Sequence, residues 1–200
     1  MVGCNYNTAV FLLSAANTDQ LPADIGAEVG FIGRSNAGKS SAINAITGIN
    51  GLARVSKMPG RTQLINLFTL DDQRRLVDLP GYGYAKVPLA VKERWQKAVN
   101  GYLQTRRCLR GLVLVMDIRH PLQELDRQII NWATVCNLPV HILLTKVDKL
   151  KKYPARATLN QMREAIQIYN DKVTVQLFSS LTHDGLEDAR AQLDNWFMRL

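Results

Sequence analysis

The chain has 200 residues, 46% of them apolar and 21% charged, with 25 Lys and Arg against 17 Asp and Glu for a net charge of +8. That composition is ordinary for one globular domain with a sizeable core, and no apolar run approaches the length that spans a bilayer, which excludes a helical membrane protein. The cysteines Cys4, Cys108 and Cys136 are odd in number and far apart; they suggest neither a disulfide framework nor a zinc site, and a reducing cytoplasm is the default location.

In chain order, residues 9–16 (Ala-Val-Phe-Leu-Leu-Ser-Ala-Ala) form a short apolar run with no preceding Lys or Arg. It is a poor signal peptide, and a first strand or packing arm is expected, within an N-terminal arm of residues 1–22. Glu28-Val29-Gly30-Phe31-Ile32 reads as a strand, and Ser41 to Ile46 as a helix. Between them, Gly33-Arg34-Ser35-Asn36-Ala37-Gly38-Lys39-Ser40 fits the phosphate-loop pattern GxxxxGK[ST]. Its glycines let backbone N–H groups turn toward a polyphosphate. Lys39 would reach the β- and γ-phosphates, the Ser40 hydroxyl would ligate Mg²⁺, and the helix dipole would favour the anion.

Residues 47–61 are loop-like and rich in Gly and basic side chains. Gln63 to Leu70 and Arg74 to Asp78 flank the turn Asp71-Asp72-Gln73 and predict a hairpin. Asp78-Leu79-Pro80-Gly81 ends its second strand. That Asp can hold Mg²⁺ through water, and the Gly81 N–H can meet a γ-phosphate. Residues 80–88 are a second loop. Gly111 to Ile118 predicts a buried strand, and Pro121 opens a helix with Leu122, Leu125, Ile129, Trp132 and Cys136 on its apolar face, where Trp132 and Cys136 are expected in the core.

Pro139 to Thr145 is the next buried strand, followed by Thr145-Lys146-Val147-Asp148. A carboxylate at Asp148 can accept both the ring N–H and the exocyclic amine of guanine, which adenine cannot offer. Ala155, Leu159, Met162, Ile166 and Tyr169 make a helical stripe. Thr174 to Phe178 is a last strand, Ser179-Ser180-Leu181 can close over the base with backbone N–H groups, and Leu186, Ala189, Leu193 and Trp196 mark a last helix. The alternation predicts a three-layer, doubly wound α/β domain, mostly parallel with one antiparallel strand.

Charge is uneven along the chain. Residues 51–110 hold 12 basic and 4 acidic side chains, while the rest nearly balances. Such a block suits a polyanion such as RNA, or equally a solvated face.

Together these residues resemble the EngB (YihA/YsxC) family of bacterial ribosome-assembly GTPases, within the Ras-like P-loop class. The match is carried by the loop at 33–41, by Lys57-Met58-Pro59-Gly60-Arg61-Thr62-Gln63, by Asp78-Leu79-Pro80-Gly81-Tyr82-Gly83-Tyr84-Ala85, by Thr145 to Asp148 and by Phe178-Ser179-Ser180. The resemblance implies a single GTPase domain over 1–200, GTP or GDP as ligand, one Mg²⁺ and a part in maturing the large ribosomal subunit, needed for growth, cell division and septation. By position it implies GTP contacts at Gly33, Arg34, Ser35, Asn36, Ala37, Gly38, Lys39, Ser40, Ser41, Gly60, Arg61, Thr62, Gln63, Leu64, Asp78, Leu79, Pro80, Gly81, Thr145, Lys146, Val147, Asp148, Phe178, Ser179 and Ser180. Ser40 and Thr62 would bind Mg²⁺ directly, and Asp78 through water. Ser180 and Leu181 replace the Ala-Lys common in Ras-like guanine loops.

Lys39, Asn36, Thr62 and Gly81 are the groups expected to act in hydrolysis. Ras-type enzymes orient the attacking water with a Gln after DxxG; here Tyr82 and Gly83 stand there, so slow turnover is expected. Asn36 resembles the Asn of potassium-activated GTPases, which points to K⁺ as a further cofactor. The ribosomal resemblance tips the basic block toward ribosomal RNA, with Arg54, Lys57, Lys86, Lys92, Arg94, Lys97, Arg106, Arg107 and Arg110 as candidate contacts. The protein is expected to be a cytoplasmic monomer without membrane partners. The competing expectations are a GTP-dependent RNA-binding assembly factor with negligible catalysis, and a P-loop phosphotransferase.

Overall fold

The computed structural model describes residues 3–54, 64–83 and 99–198. Its strands are β1 Val10–Ala15, β2 Ala27–Gly33, β3 Ile65–Thr69, β4 Arg74–Asp78, β5 Leu109–Asp117, β6 Val140–Thr145 and β7 Val173–Leu177. The helices are α1 Lys39–Thr47, α2 at residues 99–105, α3 Glu124–Val135, α4 Lys152–Ile166 and α5 Leu186–Phe197. The strands join one sheet in the order β1-β3-β4-β2-β5-β6-β7. Only β3 opposes its neighbours, pairing antiparallel with both β1 and β4; the other pairings are parallel.

Alternation along the central strands divides the core in two. On one face Leu112, Leu114, Met116, Ile142 and Leu144 pack with Tyr102, Ile130, Ala133, Ala155 and Met162 from α2, α3 and α4. On the other, Val29, Phe31, Val113, Val115 and Leu143 pack with Ile43 and Ile46 of α1 and Leu193 and Trp196 of α5. Strands buried on both faces explain the unbroken apolar runs. The three layers are therefore those of a doubly wound domain. After β4 the chain crosses β2 to lay down β5 on its other side, so the end of β2 is the topological switch point where such sheets bind ligands.

Two local expectations are corrected. The helix after β5 begins at Glu124, three residues after Pro121, because the Asp126 carboxylate caps it by accepting from the Gln123 N–H at 2.7 Å. It ends at Val135, which leaves Cys136 at the C-cap and exposed rather than in the core. The apolar run near the N-terminus forms a first strand, as one of its two readings expected: residues 10–15 are the edge strand of the sheet, a bulge falls between Phe11 and Leu13, and Val10 and Phe11 are exposed.

Candidate nucleotide-binding site

The loop from Gly33 to Ser40 leaves the end of β2 and enters α1. Gly33 has no room for a side chain: a Cβ there would lie 2.5 Å from the Val115 carbonyl oxygen. Gly38 caps α1 in the left-handed region at φ 95°, which only glycine adopts without strain. The first-turn N–H groups of α1 have no carbonyl one turn back, and they point into the space the loop encircles.

The Asp78–Gly81 segment is held against this loop at both ends. The Leu79 N–H donates to the Phe31 carbonyl at 2.9 Å, and the Tyr82 N–H to the Gly33 carbonyl at 3.2 Å. The Ser35 N–H returns a bond to the Tyr82 carbonyl at 2.8 Å. Pro80 and Gly81 therefore arch out between two anchored points, beside the phosphate loop. The Lys39 ammonium pairs with the Asp78 carboxylate across the site. Ser40, in the first turn of α1, donates to the Arg54 carbonyl at 3.3 Å. Asn44 holds that chain in place, exchanging bonds of 3.0 and 2.7 Å with the backbone of Ala53.

The segment Thr145–Asp148 reaches the same loop from the other side. The Thr145 hydroxyl donates to the Ala37 carbonyl, and the Lys146 ammonium to the Asn36 carbonyl at 2.7 Å. Lys146 takes a left-handed conformation, φ 60°, that turns the chain so Val147 and Asp148 follow in a short helical turn. Asp148 accepts from the Ser179 hydroxyl at 2.7 Å, and the bond from Ser179 is the main reason its carboxyl sits below the usual range. The Phe178 N–H donates to the Leu144 carbonyl at 2.9 Å, which brings the last loop beside Asp148. Ser179 also accepts from the N–H groups of Leu181 and Thr182, both at 3.2 Å. A hydroxyl thus fixes the carboxylate in a loop for which sequence suggested backbone contacts alone.

A family model described as "50S ribosome-binding GTPase" matches residues 28–146. A "Probable GTP-binding protein EngB" of Coxiella burnetii (strain RSA 331 / Henzerling II) is 60% identical over 192 residues, covering 96% of this chain and 94% of the relative. The chain belongs to the EngB family of GTPases. A second protein of that description, from Salmonella paratyphi C, is 54% identical over 200 residues, covering 100% and 95% of the two chains. Among solved structures, "a probable GTP-binding protein engB" has a TM-score of 0.70 at 23% identity, covering 87% of this chain and 100% of that one, which shows a shared fold. Era, solved with MgGDPNP and nucleotides of 16S ribosomal RNA, has a TM-score of 0.65 at 18% identity over 86% of this chain and 57% of its own.

Of the residues the EngB resemblance brought forward, the structure gathers 33–41, 78–81, 145–148 and 178–180 at the carboxyl end of the parallel strands. Gly60, Arg61, Thr62 and Gln63 lie outside the described residues, and Leu64 leads into β3. The oxygen donors fit a hard divalent cation. Among the described residues no three His, Cys, Asp or Glu converge; Ser40 and Asp78 are the oxygen-bearing side chains beside the loop.

Four side chains were not anticipated in these roles. Asp117, at the end of β5, accepts from Arg119 at 2.9 and 2.6 Å and from Lys146 at 2.9 Å. Arg119 above all holds the Asp117 carboxyl well below the usual range. The one sequence signal was a charge ending an apolar run. Tyr82, in the position of the Ras-type Gln, is buried and donates to the buried carboxylate of Asp126 on α3. Burial raises the Asp126 carboxyl and the Tyr82 hydroxyl alike, so the phenol keeps its proton. Its hydroxyl is committed to α3. Arg34, Asn36, Asp117, Arg119 and Asp126 line a cleft of about 220 Å³ on that side of the loop.

The basic block is also revised. Arg106 is inside the molecule: its guanidinium binds buried Glu28 at 2.8 and 2.7 Å, together with Arg75 at 2.8 Å. Arg106 therefore cannot be an RNA contact. Arg110 leans on the Gly26 carbonyl at 3.4 Å, and Arg54 and Arg107 are exposed. Lys57, Lys86, Lys92, Arg94 and Lys97 lie outside the described residues.

Proposed function

We propose that this GTPase is a slow, nucleotide-dependent switch in the assembly of the large ribosomal subunit, acting as a single-domain cytoplasmic monomer needed for growth, cell division and septation. The observation that carries the ribosomal part is the match of residues 28–146 to a family described as binding the 50S subunit. The expectation of slow turnover rests on Tyr82: a phenol bonded to Asp126 cannot orient water as an amide can.

GTP with Mg²⁺ fits the gathered residues. Backbone N–H groups of residues 33–41 and Lys39 take the phosphates, and Gly81 meets the γ-phosphate. Asp148 reads guanine, and Lys146 braces the base-side loop against Asn36. Ser40 and Thr62 hold the metal directly and Asp78 through water. A divalent cation held by these residues would supply charge neutralisation to the phosphates.

Asn36 is exposed at φ 63°, and its amide has no hydrogen bond among the described residues, so it is free to hold K⁺ as a second cofactor. Turnover in KCl should then exceed turnover in NaCl, and Asn36→Ala should abolish the difference. Release of Lys39 from Asp78 to the γ-phosphate is the change that would rearrange the adjoining loops.

Sedimentation with ribosomal subunits tests the proposal. Co-sedimentation with large subunits should be stronger with a GTP analogue than with GDP. Equal binding in both states, or none, overturns the switch.

A further inference from the structure

Residues 149–163 contain Lys149, Lys151, Lys152, Arg156 and Arg163 and no Asp or Glu. Most of this run is α4. α4 sets Lys152, Arg156 and Arg163 against Glu164 alone, whereas α3 has Glu124 and Asp126 against Arg127, and α5 has Glu187, Asp188 and Asp194 against Arg190. The positive excess of α4 is hidden in the composition because most of the acidic residues of 151–200 lie after it.

The structure shows where those charges point. Ala155, Met162 and Ile166 face the core, which turns Lys152, Tyr153, Arg156, Asn160, Arg163 and the single acidic residue Glu164 outward. Spacings of three and four residues stack them along one side of the helix, over about 16 Å. Lys149 pairs with Asp148, but Lys151, Lys152, Arg156 and Arg163 have no ion pair among the described residues. Tyr153 is 85% exposed, and with Arg156, Asn160 and Arg163 it lines a groove of about 610 Å³. The apolar side of α4 is used up against the sheet, so the outer face has little to insert into a lipid surface.

We propose that this face of α4 binds unpaired RNA. Four free cations track a phosphate backbone, and an exposed aromatic beside them offers a stacking platform for a base. This deepens the ribosomal reading and rests on it, but it places RNA on a surface outside the 51–110 block. The face begins just past Asp148, so it lies next to the guanine-reading end of the site.

The test uses the full-length GTP-loaded protein and a fluorescent single-stranded RNA, read by anisotropy, with sedimentation against large subunits in parallel. If four cations each neutralise a phosphate, raising salt from 50 to 200 mM should weaken binding about 50-fold. The same step should weaken Arg156→Ala/Arg163→Ala only about 7-fold. Tyr153→Ala should lose about 5-fold or more in affinity for the single strand and little for a duplex of the same length. GTP affinity, measured in the same variants, reports folding and should be unchanged.

Variants that bind RNA and subunits like the parent protein overturn the α4 surface while leaving the ribosomal reading standing. RNA binding that depends on α4 without any subunit binding overturns the ribosomal reading instead. Binding to phosphatidylserine vesicles and not to RNA overturns the choice of partner.

Discussion

Glu28 and Asp78 are buried carboxylates at opposite ends of the paired strands β2 and β4, and each meets cations. Glu28 is closed. Its oxygens take Arg75, Arg106 and the Tyr102 hydroxyl, all at 2.7 to 2.8 Å, and the partners are anchored in the sheet, in α2 and in the segment that follows it. Asp78 is open. It meets Lys39, a residue whose charge the phosphate loop would give to a nucleotide. The same chemistry serves rigidity where no ligand can compete for the partners, and binding where one can.

The largest expected effect breaks this contrast directly. Glu28→Ala leaves the Arg75 guanidinium buried without a counter-charge and Arg106 with only Asp24 at 3.8 Å, and should cost about 3–5 kcal/mol of stability in urea unfolding. GTP with Mg²⁺ at 100 times its Kd should still add about 2.7 kcal/mol to whatever stability remains. Lys39→Ala should lose that increment. If Lys39→Ala keeps it, the open end is as structural as the closed one.

A middle-sized effect concerns Tyr82, which joins the open end to α3. Tyr82→Phe strands a buried acceptor on Asp126 and should cost about 1–3 kcal/mol, while kcat changes by no more than a few-fold. A large fall in kcat with unchanged stability would mean the hydroxyl acts on the phosphates after all.

The smallest effect is in acid. Burial alone would raise Glu28, but the bonds and charge of Arg106, with Tyr102 and Arg75, prevail and hold it below the usual carboxyl range. A carboxyl depressed in the folded state stabilises above its unfolded value, and that stability is lost as pH falls through the folded value. Stability should therefore decline as pH drops below about 4.5, and less steeply in Glu28→Gln. Asp24 adds a weaker contribution: burial opposes, but bonds from Cys108 and Arg107 lower it to about 2. An acid limb that is identical in Glu28→Gln would sink the closed network as a source of stability.

Much of the site was legible because nucleotide contacts come from contiguous backbone. The loop at 33–40, Asp78 to Gly81 and Thr145 to Asp148 each carry their own geometry, and buried parallel strands announce themselves as apolar runs. Ends of elements were less legible. Cys136 has an apolar side chain and helical spacing, yet α3 stops one residue before it. The fate of Arg106 was not legible at all, since its partner Glu28 lies 78 residues away.

The sequence by itself determined the phosphate loop, the carboxylate of Asp148 after β6 and the order of strands and helices, since each rests on interactions within a few residues. Only the tertiary structure decided which charges are spent and which are free. It buried Arg75 and Arg106 against Glu28, turned Tyr82 toward Asp126, and left the cations of α4 unpaired. The pairs of Glu28 and Asp78 depend on residues distant in the chain meeting, and the sheet order determines that they do.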